Sequence, residues 1–314
     1  MQHGFTNFPQ IFTRRQIDAM KKRTLFTGAA TALVTPFRHG KIDYPALAKI
    51  IEAQINAGIR ALIVCGTTGE PCSLSSKERT SLLEFALDCA DKRAVMIAGT
   101  GTSDTVRTCR LTREAAKLGY DAALVVTPYY NKTSQRGLIL HYSEVAKSAD
   151  IPLIVYNVPA RTGLNVEPGT YAELAKIENV TAVKEASEST DQLAGALISC
   201  GDVLDVYCGS DNRAALAMQL GARGVISVVS NLIPQTMVNL CELYVHGKYN
   251  EAAELFARIK PLAAAMFCDV SPVPVKYALS LTGICKDQIR LPLAPLDEAA
   301  KKQVHEAIAA FKPF

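Results

Sequence analysis

Lys117-Leu118-Gly119-Tyr120-Asp121-Ala122-Ala123-Leu124-Val125-Val126-Thr127-Pro128-Tyr129-Tyr130-Asn131 holds one complete unit of this chain. A helix ends, a glycine turns the backbone, a short apolar run follows, and the run opens into polar residues and a proline. Gly119 suits the position just past a helix end, where a positive φ strains every residue but glycine. The run Ala122–Thr127 shows no apolar–polar alternation, so it reads as a strand buried on both faces.

The unit recurs along the chain. Asn56-Ala57-Gly58 precedes Ala61–Cys65, and Gln219-Leu220-Gly221 precedes Gly224–Val228. The remaining expected strands are Ala29–Val34, Val95–Ala98, Leu153–Asn157, Val180–Lys184 and Val203–Cys208. Helix-periodic stretches separate them. Eight doubly buried strands with helices between them indicate a parallel barrel or a doubly wound sheet. A dinucleotide-binding sheet would carry G-x-G-x-x-G after its first strand, and here Thr35-Pro36-Phe37 follows instead. The expected fold is therefore α/β, a (β/α)8 TIM barrel with a C-terminal helical extension. Residues 24–232 would form the barrel. Residues 233–314 would form its last helix and the extension, which includes a segment entered through Ser271-Pro272-Val273-Pro274. Residues 1–23 fall outside the rhythm and are expected to be a non-catalytic leader. Met20, ahead of the first strand, stands as a plausible natural start.

Composition narrows the function classes. The 314 residues are 49% hydrophobic, enough for a large core, and carry a net charge of only +4. The tight basic groups, Arg14-Arg15 and Lys21-Lys22-Arg23, are too short for a nucleic-acid surface. No stretch approaches the roughly 18 apolar residues of a membrane span, and the N-terminus lacks the apolar core of a signal peptide. The nine cysteines form no C-x-x-C and no zinc-ligand spacing with histidine. They suit a reducing cytoplasm, where this reading places the protein.

In such a barrel the active site gathers at the C-terminal ends of the strands. Those ends carry Gly66-Thr67-Thr68-Gly69-Glu70 after the second strand and Tyr130 after the fourth. Tyr156 and Arg161 follow from the fifth, Lys184 from the sixth and Gly209 from the seventh. A lysine in the barrel mouth either finds a carboxylate or is desolvated, the condition that frees an amine as nucleophile. Snorkelling to solvent or pairing with Glu185 is the structural alternative for Lys184. Thr67 and Thr68, between glycines at a helix start, offer hydroxyl and backbone donors to a carboxylate. Tyr130 and Tyr156 are hydroxyls suited to proton shuttling, with plain packing as the alternative. Arg161 could clamp a second carboxylate bidentately or stand solvated in its loop. No histidine occupies a strand end, which weakens triad and histidine–metal chemistry. Gly99-Thr100-Gly101-Thr102-Ser103 lacks the lysine of a phosphate loop.

The segments 66–70, Thr-Pro-Tyr-Tyr-Asn-Lys at 127–132, Tyr-Asn-Val-Pro-Ala-Arg-Thr-Gly at 156–163, Val-Lys-Glu-Ala at 183–186 and Gly-Val-Ile-Ser-Val at 224–228 together resemble one family. That family is the dihydrodipicolinate synthases, pyruvate-dependent Schiff-base aldolases. The likeness runs in register from about Leu25 to the C-terminus. It implies a lyase that condenses pyruvate with L-aspartate 4-semialdehyde in diaminopimelate and lysine biosynthesis, with no metal or organic cofactor. Lys184 would form the imine. Thr67, Tyr130 and Tyr156 would relay protons, with Tyr130 supplied across a subunit interface, so a homo-oligomer is implied, a dimer or a dimer of dimers. Thr67 and Thr68 would hold the pyruvate carboxylate and Arg161 the semialdehyde carboxylate. Gly209 and Ile226 would line the pocket with backbone. The rival is a sister lyase acting on a sialic or 2-keto-3-deoxy sugar acid, against which Thr67-Thr68 and Arg161 argue. Two departures stand out. The loop after the seventh strand reads Gly209-Ser210-Asp211-Asn212, where many members carry a second acid. Arg107 stands where lysine-sensitive members place an acidic residue, and Arg79, Pro71 and Cys72 also depart from that regulatory pocket.

Overall fold

All eight expected strands form, each parallel to its neighbours. A computed structural model describes residues 12–311. The strands are β1 (Gly28–Ala32), β2 (Ala61–Val64), β3 (Val95–Gly99), β4 (Ala122–Val126), β5 (Leu153–Asn157), β6 (Val180–Glu185), β7 (Asp205–Cys208) and β8 (Gly224–Ser227). They pair in sequence order, and β1 closes on β8 to complete a barrel. The expected glycines sit where helices end, with φ of +84° at Gly58, +92° at Gly119 and +102° at Gly221.

Strand alternation splits the core into two layers. Ile63, Ile97, Leu124, Ile154, Ala182 and Ile226 point into the barrel, with stacked Phe26 and Tyr207 rings 4.1 Å apart. Their successors Val64, Ala98, Val125, Val155 and Val183 point outward against the helices. Each strand is buried on both faces, which is why none alternates in polarity.

Three local expectations need adjustment. β1 leaves the ladder at Ala32, although Leu33 and Val34 stay buried. Val203 and Leu204 belong to the preceding turn, both donating to the Cys200 carbonyl, so β7 starts at Asp205. Residues 12–23 are folded rather than a separate leader. A Thr13/Gln16 capping box starts the helix Arg14–Met20, and Phe12 is buried in the outer core. The first 11 residues lie outside the described ones.

A two-stranded hairpin, Phe37–Arg38 with Lys41–Ile42, was not legible in the sequence. Its turn residues His39 and Gly40 both have positive φ, +53° and +76°. The extension contains the helices Tyr249–Ala265, Val273–Leu281 and Glu298–Ala310. Among the described residues, no helix is long and apolar enough to cross a membrane.

Candidate active site

Lys184 and Glu185 are adjacent, so the pleat sends them to opposite sides of β6. Lys184 follows inward-facing Ala182 and is 5% exposed. Its Nζ lies 4.3 Å from the centre of the Tyr156 ring, consistent with the direct pairing of the two residues across β5 and β6. Glu185 turns outward. It accepts from Tyr171 OH at 2.7 Å, from Asn157 Nδ2 at 3.0 Å, from Gln192 Nε2 at 3.2 Å and from the Ser187 amide at 2.8 Å. Pairing between Lys184 and Glu185 is therefore ruled out by geometry. Among the described residues, no carboxylate forms an ion pair with Lys184.

The cavity that Lys184 lines has a volume of about 360 Å³, in the range of small-molecule sites. Thr67, Thr68, Tyr156, Arg161 and Gly209 line it too. Gly209 has a steric reason to be glycine. A Cβ there would stand 2.8 Å from Lys184 Cε and 2.7 Å from Ala186 Cβ, so any side chain displaces the lysine.

Thr67–Gly69 form a single 3-10 turn directly after β2. Cys65 and Glu70, on either side of it, adopt left-handed φ of +57° and +52°. Two non-glycine residues in that region store strain, which the surroundings must hold in place. Glu70 is held by Lys276 Nζ at 2.6 Å, with side-chain exposures of 2% and 0%. Its second oxygen accepts from the Arg290 amide at 3.2 Å. Lys276 Nζ also lies 4.3 Å from the centre of the Phe37 ring. Burial pulls the Lys276 ammonium below the ordinary lysine value, and Glu70 opposes that pull. The C-terminal extension thus fixes the threonine turn. Sequence reading missed this role for Lys276, because its partner lies 206 positions away.

Arg161 is exposed and its Nη2 donates to the Ser271 carbonyl at 3.1 Å. It borders a second cavity of about 320 Å³, shared with Thr67, Tyr156, Tyr129 and Arg290. Tyr130 is not brought to either cavity of its own chain. It is 88% exposed with φ of +71°, a strained aromatic at a loop tip. Ile226, expected to line the pocket with backbone, is packed at 0% exposure in the barrel interior, and Val228 lines the cavity. Asp211, which sequence reading left without a role, explains where Val228 sits. Its Oδ2 accepts from the Val228 and Val229 amides at 2.9 Å each, while burial pushes its carboxyl group above the usual range.

A buried lysine without a carboxylate, a tyrosine ring against it and an arginine on the same cavity are what a barrel enzyme of the Schiff-base-forming class requires. Residues 25–311 match the dihydrodipicolinate synthetase family, and the chain belongs to that family. The 4-hydroxy-tetrahydrodipicolinate synthase of Syntrophobacter fumaroxidans is 43% identical over 288 residues, covering 91% of this chain and 99% of that one. A chloride-inhibited dihydrodipicolinate synthase from Acinetobacter baumannii, solved with pyruvate, superposes with a TM-score of 0.89. It is 38% identical, covering 91% of this chain and 98% of that one. A monomeric dihydrodipicolinate synthase variant also gives a TM-score of 0.89 at 40% identity, covering 91% and 97% of the two chains.

Proposed function

We propose that this lyase condenses pyruvate with L-aspartate 4-semialdehyde to give 4-hydroxy-tetrahydrodipicolinate. The observation that carries the reading is Lys184, buried in the cavity without a carboxylate partner. Its amine attacks the pyruvate ketone, and loss of water leaves a protonated imine. The imine draws electrons from the methyl carbon, a proton departs, and an enamine forms. Tyr156, beside the lysine, passes the protons, and Thr67 and Thr68 receive the pyruvate carboxylate. The enamine adds to the aldehyde of the second substrate, whose carboxylate meets Arg161. The product amine then attacks C2 and expels Lys184 as the ring closes.

The test is to supply pyruvate with L-aspartate 4-semialdehyde or with sugar aldehydes. Rapid turnover of the semialdehyde alone is expected; preference for a sugar aldehyde would establish the sister lyase. Arg161→Ala should lower kcat/KM for the semialdehyde by tens to hundreds of fold, on the order of 2–4 kcal/mol for a charge-assisted pair. Imine formation with pyruvate should survive, and equal loss of both would make Arg161 a structural residue.

Tyr130 completes the relay only if a second copy presents it, so the active species is at least a dimer, with a dimer of dimers as the proposed assembly. An 88% exposed tyrosine in strained backbone supports an interface role. Dilution to monomers should lower specific activity, and a fully active monomer refutes the arrangement.

L-Lysine should inhibit weakly or not at all. Arg107 is exposed, with its amide bonded to the Asp104 carboxylate. Arg79 is 7% exposed and donates to the Gly99 carbonyl. The Arg107 guanidinium, whose charge reaches the Tyr129 hydroxyl beside Cys72, repels a ligand ammonium, by about 1–4 kcal/mol for a charge at 4 Å. Initial rates at rising lysine decide the matter. Half-inhibition below about 1 mM defeats the idea, since each 1.4 kcal/mol is about tenfold in affinity. Arg107→Glu should raise sensitivity.

A further inference from the structure

The second substrate proposed above carries an ammonium group as well as a carboxylate, and Arg161 answers only the carboxylate. Four charged side chains line the main cavity: Arg161, Lys184, Glu188 and Asp269. Lys184 is committed to pyruvate, which leaves Glu188 and Asp269 as the acidic side chains of this cavity that an ammonium can reach. The two acids differ in how they are held. Both are exposed, and Asp269 Oδ1 accepts from the following amide, Val270, at 2.5 Å. Glu188, with 68% of its side chain exposed, is held from across the cavity wall and ion-paired to Arg213. Its Oε1 accepts from Ser210 Oγ at 3.3 Å, and its Oε2 stands 3.4 Å from Arg213 Nε. Arg213 is itself tied to Thr190 Oγ1 at 2.7 Å and to the Glu188 carbonyl. A carboxylate offers about four acceptor directions, so these two contacts leave room for a third donor.

The loop after β7 faces the same carboxylate. Ser210 stands in that loop, is 7% exposed, and holds the carboxylate of Glu188 reaching over from the loop after β6. The negative charge is thus supplied to the β7 wall by the adjacent loop.

We propose that Glu188 receives the α-ammonium of the second substrate and selects an amino-bearing aldehyde over one that lacks the amine. This rests on the function proposed above. Arg161 and Glu188 then form two opposite charges that fix the direction of the incoming aldehyde.

The test uses Glu188→Gln, which keeps an acceptor for Ser210 and removes the charge, with Asp269→Asn as comparison. L-Aspartate 4-semialdehyde is measured as substrate, and succinic semialdehyde, the same chain without the amine, as competing ligand of the pyruvate-loaded enzyme. Glu188→Gln should raise KM for L-aspartate 4-semialdehyde about tenfold or more, equivalent to ~1.4 kcal/mol. Its affinity for succinic semialdehyde should stay within about twofold of the wild type on that scale. Asp269→Asn should move neither by more than about threefold. An unchanged KM in Glu188→Gln, an equal loss for both aldehydes, or a larger effect in Asp269→Asn overturns the proposal. A failure of the functional reading looks different, because the wild-type enzyme would then not turn over L-aspartate 4-semialdehyde at all.

Discussion

Lys184→Ala treated with pyruvate and borohydride takes up no label, whereas the wild type gains one reduced pyruvate on the peptide containing Val183-Lys184-Glu185. The expectation follows from two features of the site. Lys184 is 5% exposed and lines the cavity, while Glu185, the nearest acid in sequence, is engaged on the outer face of β6. Lys132 is not a cavity-lining residue, and Lys276 is locked to Glu70 at 2.6 Å with 0% exposure. Neither is placed to trap a substrate. Alanine removes the cavity amine placed to form the imine, so kcat should fall by ~10³-fold or more. The measurements are intact mass, peptide mapping and steady-state rates. Label on Lys132 or Lys276, or substantial turnover by the variant, ends the Schiff-base assignment to Lys184.

Lys276→Met should cost about 3–5 kcal/mol of stability, because it leaves Glu70 buried with an uncompensated charge. At a few degrees per kcal/mol for a chain of this size, Tm should fall by roughly 10 °C. The double variant Glu70→Gln/Lys276→Met removes the charge along with its partner and should recover much of that loss. The pair also secures the left-handed Glu70 at the end of the threonine turn, so KM for pyruvate should rise in the single variant more than in the double. Thermal unfolding and pyruvate titration read both effects. A double variant as unstable as the single one contradicts the ion-pair account, and so does an undisturbed single variant.

Much of the candidate site could be read from the sequence because it is built from local patterns. An apolar run followed by Lys184 places that lysine at a strand end whatever the rest of the chain does. Two-residue alternation then separates it from Glu185. Gly209 was singled out as lining the pocket, but its reason is steric and became visible only when Lys184 Cε stood 2.8 Å from its absent side chain. Ile226 shows the limit of the method. The resemblance implied only a backbone role for Ile226, whereas depth along the barrel depends on how neighbouring strands are staggered, and the stagger puts the Ile226 side chain in the packed interior and Val228 at the cavity.

The sequence by itself determined the alternation of buried strands and helices, the glycine turns and the ring of reactive strand ends. Each of these follows from backbone periodicity over a few residues. Tertiary structure alone decided that Lys276 meets Glu70 across 206 positions, that Phe37 carries that lysine on its ring, and that Ser210 holds Glu188. Those partners are chosen by closure of the barrel and by the return of the C-terminal helices over its mouth. Burial in a low-dielectric interior then demands that Lys276 and Glu70 find each other, but local sequence carries no record of which distant residue each will meet.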